Sequence, residues 1–499
     1  MNKRMNKFAL LFFFLVVSHS LLAQDPQKYA EMIEPKALKD NLSIIASDAL
    51  EGRLTGSRGQ KMAAAFIADH FQRLGLKPIN KGSYYQPFNL YSYKQGEISI
   101  KTKSNLFNSS ADVVFYGSVD SGGEKELEVV FAGMGTDEEL MQVDVSNRVV
   151  LIITQELAFS KIGPRIAKIT NAGAVSVLLY AMVPDEEYVN FMRETQGTLT
   201  EGRMSLKRAQ VGEPQLFFVS RKVVESLFGS FDKLKSMTTG KKKNAYRKMR
   251  PVKASFTTQI TEEIVKTENV AGYLEGTDKR EEVLVMTAHY DHIGLSDEDG
   301  DRVNNGADDD GSGTVTVLQL ATAFAKAKKD GVGPRRSILF MTVSAEELGL
   351  YGSEFYCDTQ PLIPLERTVV DLNIDMIGRW DAEHAGKDPY VYVIGADKLS
   401  PELQEINVRN NETYTKLEFD YTYNDENHPT NLYQRSDHWN FAKHGIPIIF
   451  YFDGIHEDYH KPGDEVEKID FDLLARRGKV VFYTAWEVAN RENRLRVDK

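Results

Sequence analysis

Cysteine is almost missing from this chain: there is one, Cys357, in 499 residues. No intramolecular disulfide can form, so the fold rests on its core or on a bound metal. Cys357 itself reads as a small buried filler. Long apolar runs are also scarce, and after residue 23 none has the length of a membrane helix. Positive charge is in deficit, with 61 Lys and Arg against 72 Asp and Glu, a net charge of −11. That balance argues against a nucleic-acid partner. One basic stretch, KKKNAYRKMRPVK (241–253), reads as a solvated loop between domains. Histidine is absent between His70 and His289, which leaves that stretch few candidates for metal or acid–base chemistry.

The remaining composition, 42% hydrophobic and 27% charged, is that of a globular protein long enough for two or three domains. The N-terminus runs from MNKRMNK into FALLFFFLVV and then SHSLLAQ. A basic start, a short apolar stretch and a small residue before polar sequence predict a signal peptide over 1–23, cut after Ala23 or Ser20. Export to the periplasm or the exterior follows, with no stable membrane insertion after cleavage. An uncleaved anchor is the alternative. No cysteine follows the apolar stretch to carry a lipid.

Three further segments differ in texture. Residues 24–95 contain the turn-rich EGRLTGSRG, with Arg53 and Arg58, and then MAAAFIADHFQRLGL, whose periodicity predicts a helix stopped by Gly75 and Pro78. Residues 96–262 carry strand-like runs such as RVVLIITQ and VSVLLYAM and read as an inserted, β-rich module. Residues 263–499 alternate strands (EVLVMTAHY, SILFMTVSA, TVVDLNIDMIG, PIIFYFDG) with helices (TVTVLQLATAFAKAK, FDLLARRGKVVFYTAWEVANR). That alternation predicts an α/β fold, a mixed, largely parallel sheet sandwiched by helices. In such sheets sites gather at the carboxyl ends of the strands.

Polar residues cluster where those strands end. GADDDGSG (306–313) places acids at the first and third positions of a calcium loop, but the twelfth position is Gln319 where a bidentate glutamate belongs. The acids therefore read as a turn before a helix. His289 and Asp291 close one strand, Glu346 and Glu347 follow another, Asp375 ends a third, and His456, Asp458 and His460 follow the last. Carboxylates gathered at one buried edge require cations. Zinc takes His nitrogen and carboxylate oxygen, and a hydrolytic site leaves a position for water.

The motifs AHYDHIG, NNGADDDGSG, AEELGLYGS, NIDMIG and DYHKPGD, in that order, resemble the M28 family of zinc peptidases. LEGRLTGSRG is similar to that family's opening, and VVLIITQ with NAGAVSVLLY resembles a protease-associated (PA) domain. The resemblance implies a zinc-dependent exopeptidase fold with two zinc ions: His289 and Asp375 on one, Glu347 and His460 on the other, Asp309 bridging both. It implies a cis peptide at Asp309–Asp310, with Asp308 and Asp310 shaping the loop. Asp291 would orient His289, and Glu346 would be the general base. Two zincs about 3.5–4 Å apart acidify a shared water and polarise a carbonyl.

DYHKPGD is more similar to the aminopeptidase branch, so a peptide trimmed from its N-terminus is the expected substrate. A glutamate-carboxypeptidase-like or dipeptidase activity is the alternative, and Arg379 and Arg435 are the candidates to hold an acidic substrate. A glutaminyl cyclase, which typically uses one zinc, fits the five-ligand set less well, as does a non-catalytic binding protein. The aromatic-rich stretch 419–441 is expected to wall the cleft, with Tyr423, His428 and Tyr433 facing it. Ser436, Asp437 and His438 match a family pattern without an assigned role.

Overall fold

Continuous apolar strands with polar ends have one stable use: a sheet covered on both faces, whose backbone polar groups are spent on neighbouring strands. The computed structural model describes residues 25–109, 112–200, 203–209, 215–239, 248–297 and 300–498. The predicted signal segment 1–23 and most of the basic stretch, 240–247, lie outside the described residues. Two compact units divide the chain, one made of residues up to Asn89 and from Lys266 onward, the other of Leu90–Val265.

The first unit contains α1 (Pro35–Ile45), α2 (Arg58–Arg73), the end of β1 (Val252–Leu274), β2 (Lys279–His289), α3 (Gly313–Lys329) and β3 (Arg336–Val343). It continues with β4 (Thr368–Ile374), β5 (Tyr390–Ile394), α4 (Pro401–Asn410), β6 (Glu418–Asp420), β7 (Ile448–Phe452) and α5 (Phe471–Asn490). Its sheet runs β6-β5-β7-β4-β2-β3-β1. β2 is parallel to both β3 and β4, β4 to β7, and β5 to β6. β5 meets β7, and β1 meets β3, antiparallel. The sheet is thus mixed and largely parallel, and β2, β3, β4 and β7 deliver their carboxyl ends to one edge. From β2 the chain goes to β3 on one side, then crosses to β4 on the other. That reversal opens a crevice at the end of β2.

Helix α3 is buried along nearly its whole length, consistent with its run of Val, Leu, Ala and Thr. Phe324 on α3 is fully buried and packs on Phe340 of β3 and on Phe482 and Trp486 of α5. Truncating such a ring to alanine costs about 3–5 kcal/mol. The N-cap of α2 is Ser57, whose hydroxyl accepts from the Gln60 N–H.

The second unit has its own core. Part of β1, Val252–Phe256, lies antiparallel to Lys125–Phe131, followed by Val149–Thr154, Ser176–Ala181 and Leu216–Val219, all parallel, and then Val113–Tyr116, antiparallel. Helices Phe159–Asn171, Asp185–Thr200, Arg221–Phe228 and Phe231–Thr238 accompany the strands. The unit is thus rich in strands, as its runs predict, and it also carries helices of up to 16 residues.

Candidate active site

Left-handed turns follow three of the four parallel strands. Ala345, Met376 and His460 have φ of 62°, 59° and 56°, a left-handed region that side chains with a Cβ seldom adopt and that clusters at functional sites. These turns aim Glu346 and Glu347 after β3, Asp375 after β4 and His460 after β7 toward the end of β2, where His289 sits.

The turn 306–313 completes the edge. Gly306 has φ +53°, and a Cβ there would lie 2.2 Å from the Asp309 carbonyl oxygen and 2.6 Å from His292 Cδ2. A Cβ on Gly313 would lie 2.3 Å from Asp310 Oδ1. Only glycine fits either place. The Asp309–Asp310 peptide is cis. Arg53, fully buried, donates to the carbonyls of Ile45, Tyr290, Asn305 and Gly306 at 2.6–2.9 Å, tying the turn to the N-terminal segment.

Three consecutive acids then part company. Asp310 Oδ1 accepts the N–H groups of Gly313 (2.9 Å) and Met376 (3.1 Å), and its Oδ2 accepts that of His289 (3.1 Å). Asp308 Oδ1 accepts the Gly378 N–H at 2.7 Å. The N–H groups of Asp308 and Asp309 are taken by the Asp464 carboxylate at 3.0–3.1 Å. Asp308 Oδ2 faces His456 Nε2 at 3.4 Å, while Asp309 turns both oxygens to the site: Oδ1 lies 3.2 Å from His289 Nε2 and Oδ2 3.2 Å from His460 Nε2. Asp309 Oδ2 is buried without a hydrogen-bond partner among the described residues.

Around Asp309 the remaining donors fall on two sides. His289 Nε2 is 3.5 Å from Asp375 Oδ1, and the ring's Nδ1 contacts the Asp291 carbonyl at 3.1 Å. A proton on Nδ1 leaves Nε2 to face the carboxylates. On the other side His460 Nε2 lies 3.0 Å from Glu347 Oε2, whose Oε1 is 2.7 Å from His292 Nδ1. Donor atoms of His289, Asp309 and Glu347 lie within 4.8 Å of one another, as do those of His289, Asp310 and Asp375. In the second group Asp310 is already saturated by backbone N–H groups, so Asp309 is the better partner for Asp375. Glu346 Oε2 is 3.9 Å from His289 Nε2 and stands outside both groups.

Electrostatics express the crowding. Burial pushes the Glu346 carboxyl well up; His289 opposes this, while Asp375, Glu347 and Asp437 add to it. Burial would also raise Asp309, but His289 and His460 outweigh it and hold that carboxyl well below its ordinary range. Burial lowers His460, yet the adjoining carboxylates of Asp309 and Glu347 carry it up to about 10. A histidine raised this far among buried carboxylates marks a centre whose negative charge calls for cations. The orphaned Asp309 oxygen and the split donor set fit two dications, with His and carboxylate ligands that suit zinc.

Residues 269–485 match the model of peptidase family M28. The chain is a zinc metallopeptidase, a hydrolase, and its segment 269–485 is similar to the M28 peptidases. It is 24% identical over 466 residues to aminopeptidase YwaD of Bacillus subtilis, covering 91% of this chain and 85% of that protein. It is 29% identical over 263 residues to a probable zinc metalloprotease of Leptosphaeria maculans, covering 45% of this chain and 58% of that protein. Among solved structures, an aminopeptidase from Aneurinibacillus sp. strain AM-1 has the same fold: TM-score 0.56, 17% identity, 95% of this chain and 98% of that one covered.

A cleft open to solvent adjoins the peptidase's donor groups. Its wall comes from Met376, Leu432, Phe450, Phe452, Ile455 and Tyr459, with Arg435 and Ser436 beside them. Several expectations change here. Asp291 meets the His289 ring through its carbonyl at 3.1 Å, while its carboxylate, 3.8 Å from Nδ1, accepts from Thr55 Oγ1 (2.8 Å) and the Glu346 N–H (3.3 Å). Arg379 is no pocket residue: it is buried, bonded to Asp458 at 3.0 Å and 3.8 Å from Asp464. Tyr423 packs on Tyr392, on His428 and behind the wall residue Phe452 without lining the cleft itself, and Tyr433 packs on Trp439 and beneath Lys398. Arg435 does line the cleft.

Other residues gain roles that sequence spacing left open. Ser436 Oγ donates to Asp375 Oδ2 at 2.6 Å and accepts from Asn373 at 2.9 Å. His292, within the AHYDHIG motif, supports Glu347. Asp464, within DYHKPGD, cradles the acid turn. The motifs contained all three, but nothing in their spacing separated support from ligation.

Proposed function

We propose that this peptidase is an exported aminopeptidase with two zinc ions, removing N-terminal residues from peptides. One observation carries the reading: the two carboxylate oxygens of Asp309 face histidines from different elements, His289 and His460, while the flanking acids are spent on backbone N–H groups. His289 and Asp375 would hold one ion, Glu347 and His460 the other, and Asp309 both. When bound, such ions supply Lewis acidity and make an attacking water more acidic. Glu346 takes the proton of that water as its oxygen adds to the scissile carbonyl. It then passes the proton to the amine as the C–N bond breaks. A carboxylate partner for a substrate ammonium is at hand in Asp375 or Glu346.

Aminopeptidase rather than carboxypeptidase action is favoured by the cleft, where Arg379 is tied to Asp458 and only Arg435 remains. The YwaD relative, an aminopeptidase by name, supports the same direction. Export rests on the sequence of residues 1–23, and the unit Leu90–Val265 is read as PA-like from the motifs given above. The test is a panel of peptides free or acetylated at the N-terminus, with zinc content measured on the same samples. Cleavage of free peptides by protein holding two zinc ions is expected. Cleavage of blocked peptides only would overturn the assignment.

A further inference from the structure

The cleft is apolar except for the donor groups at its floor and one cation at its side. Arg435 is exposed, lines the cleft, and makes no side-chain hydrogen bond or ion pair among the described residues. The floor carboxylates do not pair with it; Asp309, Glu347 and Asp375 face histidines. Its backbone is nevertheless fixed. The Arg435 N–H donates to the Leu432 carbonyl at 3.1 Å, and the next residue, Ser436, is bonded to Asp375. A guanidinium held beside an apolar wall, without a partner of its own, is arranged to meet an anion that arrives with the substrate. As substrate displaces water the attraction strengthens, and the planar fork of donors matches a carboxylate. Arg379 shows the contrasting case, a buried arginine whose Nη2 is already bonded to Asp458 and whose Nη1 lies 3.8 Å from Asp464.

We infer that Arg435 is a specificity residue that takes a carboxylate of the substrate, on the peptidase reading given above. Two sources offer that group: an acidic side chain on the N-terminal residue, or the C-terminal carboxylate of a dipeptide. The experiment compares kcat/KM of the zinc-loaded protein on Glu-Ala-Ala-amide against Gln-Ala-Ala-amide, and on the dipeptide Leu-Ala against Leu-Ala-amide. Each pair differs only in one carboxylate. A preference of about 10-fold is expected in one of the two pairs, the worth of one charge-assisted hydrogen bond at a part-exposed site. Arg435→Gln should bring that ratio toward 1, and Arg435→Lys should restore part of it. The first pair identifies a side-chain site, the second a dipeptide site. No preference in either pair, or a preference that survives Arg435→Gln, overturns the inference while leaving the peptidase reading intact. Failure to cleave any of the four defeats the peptidase reading and this inference with it.

Discussion

Replacing Glu346 with glutamine should move activity and stability in opposite directions. In the metal-free protein the Glu346 carboxyl lies well above its ordinary value, chiefly through burial, helped by Asp375, Glu347 and Asp437. The unfolded chain ionises it near 4.5, so between that pH and the folded-state value folding takes up a proton. Stability is therefore full below 4.5 and falls by about 1.4 kcal/mol per pH unit above it, until the folded-state value is passed. An amide of the same shape carries no such cost. Metal-free Glu346→Gln should be more stable than its parent at pH 7, with the gap closing at pH 4.5. Urea unfolding at the two pH values measures this. With zinc bound, the same change removes the proton acceptor, and kcat should fall by about 10²–10⁴, or 2.7–5.5 kcal/mol in barrier. Zinc content should stay at the parental level, because Glu346 stands outside the donor groups. Parental activity in the glutamine variant would refute the base assignment. Loss of zinc together with activity would make Glu346 a ligand instead.

Two further substitutions probe the surroundings. Ser436→Ala removes the hydroxyl bonded to Asp375 and should weaken zinc binding by about 10–100-fold, as loss of an outer-shell partner commonly does; titration against a competing chelator reads this directly, and unchanged affinity would show that Asp375 is held without Ser436. Burial pushes the His438 imidazole down to about 3, while its Nε2 contacts the Tyr433 carbonyl at 2.9 Å and its Nδ1 has no partner among the described residues. The folded value lies below the unfolded one, so His438 leaves stability full above about pH 6.5 and erodes it as pH falls toward 3. His438→Gln, which keeps an N–H donor, should gain on the parent by about 1.4 kcal/mol per pH unit below 6.5; parallel stability curves would count against it.

How much of this was legible beforehand depends on the range of the interaction involved. Strand and helix order followed from periodicity, because the apolar residues of β2, β3, β4 and β7 and the buried face of α3 are a local record of burial. The edge at which His289, Glu347, Asp375 and His460 meet follows from that order, since parallel strands with helical crossovers put their carboxyl ends together. Motif resemblance narrowed the chemistry further. The helices of Leu90–Val265 were less visible, because they lie among stronger strand signals.

Within the acid turn, sequence and fold divide the work most clearly. Sequence alone established that Asp308, Asp309 and Asp310 form a glycine-flanked turn before a buried helix, and that so many acids near histidines need cations. It could not rank three adjacent carboxylates that are chemically alike. Tertiary structure ranks them through backbone N–H groups brought from elsewhere: Gly378 engages Asp308, Met376 and His289 engage Asp310, and Asp464 holds the backbone between. The same holds for Arg379 and Arg435, equal in sequence and separated only by whether Asp458 folds back to meet one of them. A carboxylate or guanidinium is free for chemistry only when no nearer partner satisfies it, and that partner is supplied by the fold.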